Sequence, residues 1–314
     1  MSHAAAALLP VPVLPLDDAP AHVLLTAFLA GRNPRTLAAY RKDVEAFAAF
    51  AGTATPDAAA WFLLSKPLGE ANGVALAYRA SMVDRGLAAA TINRRLAALR
   101  SLVKLARTLG MVTWTLEVDG LEAAAYRDTR GPGTDGVRDM LALAGARDDA
   151  KGRRDVAILR LLRDMALRRG EVVSLDVEHV DLSTGRLAVM GKGRTGREFL
   201  TVPRPTLEAL RAWLDVRGTV PGPLFTNFDR AGKGSRLTGS GVHALVRACG
   251  AAAGLTVRPH GLRHAGITAA LDATNGNLRK VQRFSRHKDM RTLEVYDDAR
   301  RDFGGEVAEL VAAA

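Results

Sequence analysis

Apolar side chains recur at helical spacing through most of this chain. Leu37, Tyr40, Val44 and Phe47 form one stripe behind Asn33-Pro34, an N-cap followed by a proline suited to a first helical turn. A second helix is expected from Gly73 to Asp84, ending at Gly86. A third starts at Thr91 as N-cap, carries Ile92, Leu96, Leu99, Val103 and Ala106 on one face, and stops at Gly110. From Tyr126 to Gly136 the apolar period disappears and glycines and a proline take over, as in an interdomain linker. Helical periodicity returns near Val137–Ala144, Val156–Met165 and Glu171–Leu175. Two strand-like runs, Arg186–Met190 and Glu198–Val202, then flank a glycine-rich turn with Lys192 at its tip. The rest is helical: Thr206–Val216, Ser240–Ala252, Pro259–Leu271, Asn277–Phe284 and Met290–Arg300. Val307, Leu310 and Val311 keep that spacing in a tail suited to dock on a neighbouring protomer or fold back on its own domain.

These patterns predict a mainly α protein with a small β-hairpin, its second domain of α+β type. Residues 1–20 form an Ala/Pro-rich flexible tail, 21–125 a helical domain, 126–136 the linker and 137–314 the second domain. At 314 residues the chain is long enough for two cores. No uncharged apolar run reaches the ~18 residues of a membrane span. The opening apolar stretch lacks the leading basic residues of a signal peptide. One cysteine, Cys249, excludes an intramolecular disulfide and fits a reducing cytoplasm; on a face with Val242, Leu245 and Val246 it is expected to be a small buried hydrophobe.

Charge narrows the partner. Lys and Arg number 44 against 33 Asp and Glu, a formal +11, which favours a polyanion without separating DNA from RNA. On the third helix Asn93, Arg100, Lys104 and Arg107 lie along a second stripe beside the apolar one, so burying the core face displays a positive edge.

The candidate chemistry lies towards the C-terminus. His260-Gly-Leu-Arg263 is followed by His287 and, nine residues on, by Tyr296. An arginine and two histidines supply donors to a phosphate oxyanion, and a phenol, of reference pKa about 10, forms a covalent phosphoester once deprotonated. Upstream, Arg168 precedes Glu171 by three residues, a spacing suited to orienting a guanidinium whose planar fork matches two phosphate oxygens. Pro259 places His260 and Arg263 near a helix N-terminus, which favours anions. His260 and His264 share an i, i+4 spacing, but Gly261 stands where a zinc HExxH motif needs Glu, so no metal is expected and His264 is read as structural. Lys192 is followed by Gly193, where a P-loop needs Ser or Thr.

The ordered set Arg168, Lys192, His260, Arg263, His287 and Tyr296 resembles the tyrosine recombinase, or phage integrase, family, over about Pro34 to Arg300. The resemblance is to Xer-type and related bacterial or plasmid integrases. It implies a two-domain, C-shaped DNA clamp and site-specific strand exchange through a 3′-phosphotyrosyl intermediate. Tyr296 would be the nucleophile, Arg168 and Arg263 the phosphate clamp, and Lys192 the proton donor to the departing 5′-hydroxyl. His260 would be the proton-transfer partner of the tyrosine, and His287 a donor to a non-bridging oxygen. No cofactor is implied. Expected partners are double-stranded DNA, a tetramer of the chain on two sites, and accessory DNA-bending proteins or a partner recombinase, in the cytoplasm at the nucleoid. Thr91, Asn93, Arg94, Arg95, Arg100, Lys104 and Arg107 would face DNA from the helical domain, with Arg194 and Arg286 adding phosphate contacts. Two positions depart from the family pattern: Ala166 stands where Gly is usual, a small change, and Ser285-Arg286-His287 replaces Leu-Gly-His. A type IB topoisomerase and an inactive DNA-binding regulator are the competing readings.

Overall fold

The structure, a computed structural model, describes residues 28, 34–122, 131–191, 196–229, 232–293 and 303–313. The N-terminal tail, Asn33, Lys192, Arg194, Tyr296 and most of the expected helix Met290–Arg300 lie outside them. Contacts divide the chain into two compact units, Met1–Ala125 and Tyr126–Ala314.

In the first unit α1 (Pro34–Ala51), α2 (Pro56–Leu64), α3 (Leu68–Asp84) and α4 (Ala89–Thr108) enclose an aliphatic and aromatic core. Tyr78 of α3 lies 5.2 Å from Phe47 and 5.0 Å from Phe50 of α1, ring centre to ring centre, so an aromatic cluster joins these two helices. Helix α2 was absent from the sequence expectations, although its start is conventional: Thr55 Oγ1 accepts the Ala58 N–H at 3.1 Å, ahead of Pro56. Helix α3 begins five residues before the expected Gly73. Thr91 is not a cap; α4 already starts at Ala89.

Beyond α4 the chain returns without regular secondary structure and seats Val112, Leu116 and Val118 in the core. Polar residues of α4 hold this return. The Asn93 amide donates to Leu121 O (2.8 Å) and accepts from Leu121 N (2.7 Å), and Arg100 donates to Val118 O (3.1 Å). Behind the helix the buried Asp43 carboxylate lies 2.7 Å from Arg94 and 3.9 Å from Arg95.

The second unit opens with α5 (Gly133–Gly145), so the last four residues of the expected linker are helical. Helix α6 (Ala150–Asp164) runs through its centre, packed by α5, by α8 (Arg204–Arg217) and by α10 (Pro259–Ala273). Asp149 caps α6 by accepting from Gly152 N. Between α7 (Arg169–Val173) and α8 lies a meander, β1 (Val180–Asp181), β2 (Arg186–Met190) and β3 (Arg197–Thr201), antiparallel in that order, with Leu187 opposite Leu200 and Met190 opposite Arg197. The two-residue β1 was too short to carry an alternation signal. Helices α9 (Gly239–Ala252), α11 (Leu278–Ser285) and α12 (Phe303–Ala312) complete the described elements.

Cys249 on α9 is buried in the core, and burial pushes its thiol up to about 11. On α12, Val307, Leu310 and Val311 stand exposed rather than packed on their own domain. Among the described residues no helix is long and apolar enough to cross a membrane.

Candidate active site

Three backbone features bring the site together. The first is the turn between α6 and α7, where Ala166 adopts φ +45. This left-handed geometry favours glycine, so Ala166 is more than a small change: an alanine holds a position at which its Cβ is disfavoured. The turn aims the Ala166 carbonyl into the interior and delivers Arg168 to the N-cap of α7. There Glu171 reaches back to accept the Arg168 backbone N–H at 2.8 Å through Oε2, while Oε1 accepts from Arg168 Nη1 at 2.8 Å.

The second is the crossing of α10 over α6. A Cβ built on Gly266 would lie 2.1 Å from the Arg163 carbonyl oxygen, so only glycine permits this approach. Three residues earlier on α10, Arg263 is almost wholly buried (1% exposed) and donates to the carbonyls of Ala166 and of Ser285, the latter at 2.6 Å.

The third is the end of α11, where Arg286 adopts φ +57 as C-cap and turns the chain so that His287 faces Arg263. His287 Nε2 lies 3.2 Å from Arg263 Nη2, and Nδ1 lies 3.1 Å from Ser285 Oγ. A guanidinium only donates, so Nε2 accepts here and the ring proton resides on Nδ1. Burial, then the charges of Arg263 and Arg168, push His287 down to about 4. His260 presents its ring at the surface, edge-on to His264 with centroids 4.1 Å apart, and the same three causes in the same order lower it from its ordinary value. Both imidazoles are neutral near pH 7.

Arg168, His260, Arg263 and His287, spread over 120 residues of sequence, thus lie near enough to influence one another's charge, with Glu171 bound to Arg168. Their chemistry suits a phosphate diester: two permanent positive charges beside two neutral rings able to accept or relay a proton. In the state described, His287 accepts from Arg263 rather than offering Nε2–H outward. Donation to a phosphate oxygen therefore requires Nε2 to leave Arg263 and to carry a proton, either by a shift of the ring proton from Nδ1 or by uptake of a second one.

The expected DNA contacts fare differently. The Arg286 side chain is 6% exposed and turned inward onto Glu171, so here its charge faces a carboxylate. Asn93, Arg95 and Arg100 are engaged inside the first unit as described above. Arg94 is bound to Asp43 with its side chain 44% exposed, and Thr91 is half-buried within α4. Lys104 and Arg107 are exposed. The inward role of Arg286 was not visible in sequence; its only signal was an arginine in a place where the helix end calls for glycine.

The phage integrase family model matches residues 135–302. A tyrosine recombinase of Synechococcus elongatus is 47% identical over 290 residues, covering 90% of each chain, and one of Synechocystis is 41% identical, covering 90% of this chain and 91% of that one. The chain belongs to this family, the tyrosine recombinases, and is a tyrosine-type site-specific recombinase. Its fold is that of XerH bound to a palindromic difH substrate (TM-score 0.67, 18% identity, 93% of this chain and 84% of that one). It is also that of a lambda integrase dimer on a COC′ core site (TM-score 0.64, 16% identity, 90% and 96%).

Proposed function

We propose that this recombinase cleaves and rejoins double-stranded DNA through a 3′-phosphotyrosyl link to Tyr296. The observation that supports this reading best is the gathering of Arg168, Arg263, His260 and His287 close together in the fold, with Tyr296 nine residues beyond His287 in sequence. Arg168 and Arg263 hold the scissile phosphate and balance the charge that builds at phosphorus. Tyr296 gives its phenolic proton to His260, and its oxygen forms a bond to phosphorus as the bond to the 5′ oxygen breaks. Lys192 protonates that departing oxygen, and His287 steadies a non-bridging oxygen. A partner strand's 5′-hydroxyl then displaces the tyrosine. One phosphodiester replaces another and no cofactor enters.

The helical domain, residues 21–125, contributes DNA contacts, and the exposed Lys104 and Arg107 are the side chains best suited to phosphates. The working assembly is a tetramer on two sites, with the exposed apolar face of α12 covered by a second copy. Accessory proteins and a nucleoid location in the cytoplasm complete this reading. The topoisomerase and inactive-regulator alternatives draw no support from the relatives.

The test is a pool of duplexes nicked next to candidate cut sites, so that the released 5′ end diffuses away and the covalent complex persists. Wild type is expected to form a protein–DNA band stable to denaturant, and Tyr296→Phe none. No band with wild type, or an equal band with the variant, overturns the mechanism.

A further inference from the structure

We propose that Arg286 is a positioning residue for strand cleavage, setting the Arg168 guanidinium through Glu171. The proposal rests on the phosphate-clamp reading of Arg168.

Arg286 sits at φ +57, ψ +37, a backbone region that favours glycine, so local conformation does not explain an arginine there. Its side chain supplies the reason. Nη2 donates to Glu171 Oε2 at 2.8 Å, between side chains that are 6% and 4% exposed. Further donations run from Nη1 to the Met165 and Phe284 carbonyls, each at 3.3 Å, and from Nη2 to the Ala166 carbonyl at 3.4 Å. Arg286 thus binds the turn that leads into Arg168. Its own carbonyl accepts from Arg168 Nη2 at 3.2 Å. One residue therefore fixes Arg168 twice, through its main-chain oxygen and through the carboxylate that holds Nη1.

Charge makes the arrangement useful as well as rigid. A carboxylate facing a lone guanidinium tends to engage it with both oxygens, which neutralises the cation and occupies the fork needed for phosphate. Here Arg286 takes Oε2 and leaves Oε1 alone for Arg168. Two guanidinium charges and one carboxylate give this trio +1 (2 − 1), and the partly exposed member, Arg168, with 31% of its side chain accessible, is the one able to offer charge to a ligand. Burial works against ionisation of Glu171, yet Arg286, the Arg168 N–H and the Arg168 guanidinium hold its carboxyl below the usual range.

The experiment compares full-length wild type, Arg286→Gly, Arg286→Lys, Glu171→Gln and the Arg286→Gly/Glu171→Gln double variant. Three quantities are read: the thermal midpoint, DNA affinity across a salt series, and the single-turnover rate of covalent complex formation at saturating protein. Glycine suits the left-handed cap, so Arg286→Gly removes the side chain without straining the turn. It is expected to bind DNA with wild-type affinity and salt dependence yet cleave about 10 to 100-fold more slowly, the loss typical of a misplaced reacting group. Arg286→Lys should recover part of that rate. The double variant should be no slower than the slower single, because both changes break one linkage.

A wild-type rate for Arg286→Gly overturns the proposal, as do losses that multiply in the double variant. A salt slope reduced by about one, with weaker binding, also overturns it, since that marks a direct phosphate contact. Should Arg286→Gly fail to fold, Arg286→Lys and Glu171→Gln carry the test: normal binding with slowed cleavage in both upholds the proposal, and wild-type cleavage in either overturns it. If wild type itself gives no more covalent complex than Tyr296→Phe, the clamp reading fails instead.

Discussion

Replacing Gly266 by alanine adds one methyl group at the tightest point between α6 and α10. That carbon would sit 2.1 Å from the Arg163 carbonyl oxygen and 3.1 Å from its carbonyl carbon. Ordinary contact begins well beyond this, so α10 must retreat by roughly 1 Å. Both partners are helix backbone and cannot swing aside, and overpacking of this kind costs about 1–3 kcal/mol, more where relaxation is blocked. For a unit of this size that lowers the melting temperature by roughly 3–10 °C. The same retreat carries Arg263, one turn away, off the Ala166 and Ser285 carbonyls and off His287. Displacement of a clamp by such a distance slows chemistry on the order of 10²-fold. Thermal unfolding and single-turnover formation of the covalent complex measure the two effects. Gly73→Ala on α3 is the control: it faces open space at an exposed helical position and should stabilise by about 0.5–1 kcal/mol. Wild-type melting and cleavage by Gly266→Ala would refute the claim that this crossing sets the clamp.

Two further outcomes follow from the site. At Ala166, glycine should change stability by less than about 1 kcal/mol, because relief of the left-handed backbone offsets the lost burial of one methyl. Ala166→Val, β-branched in the same turn, should cost more than about 2 kcal/mol; equal urea midpoints for the two variants would contradict the strained turn. His287 titrates at about 4 when folded, against an ordinary 6.5, so the unfolded chain binds more protons between those values. Its contribution to stability is complete above about pH 6.5 and is lost as the pH falls towards 4. His287→Gln should therefore lose less stability than wild type between pH 7 and 4.5 in urea unfolding, and an equal loss would show that the ring is not buried neutral.

Most helices of the second unit were legible because apolar stripes of three or four turns report directly on burial. The strand pair was legible for the same reason, though β3 runs from Arg197 to Thr201 rather than from Glu198 to Val202. Helix α2 went unread despite Thr55-Pro56, because Pro56–Leu64 is nearly all apolar and shows no polar face to set a period. The basic edge of α4 misled for a different reason. Asn93 and Arg100 fall outside the apolar stripe, but the returning segment that accepts their hydrogen bonds lies 18 to 28 residues away in sequence. In the site, the motif spacing brought out Arg168, Glu171, His260, Arg263 and His287, which the fold brings near one another. The Arg286–Glu171 pair spans 115 residues and depends on a left-handed turn, which no local pattern encodes.

Cys249 offers a practical handle. A thiol enclosed in the core and held near 11 is almost wholly protonated at neutral pH, and maleimide dyes react with thiolates. A cysteine engineered at exposed Lys104 on α4 can therefore be labelled selectively with the native one left in place. Fluorescence from that single dye can test whether the helical domain meets DNA, as proposed, in an otherwise unaltered chain.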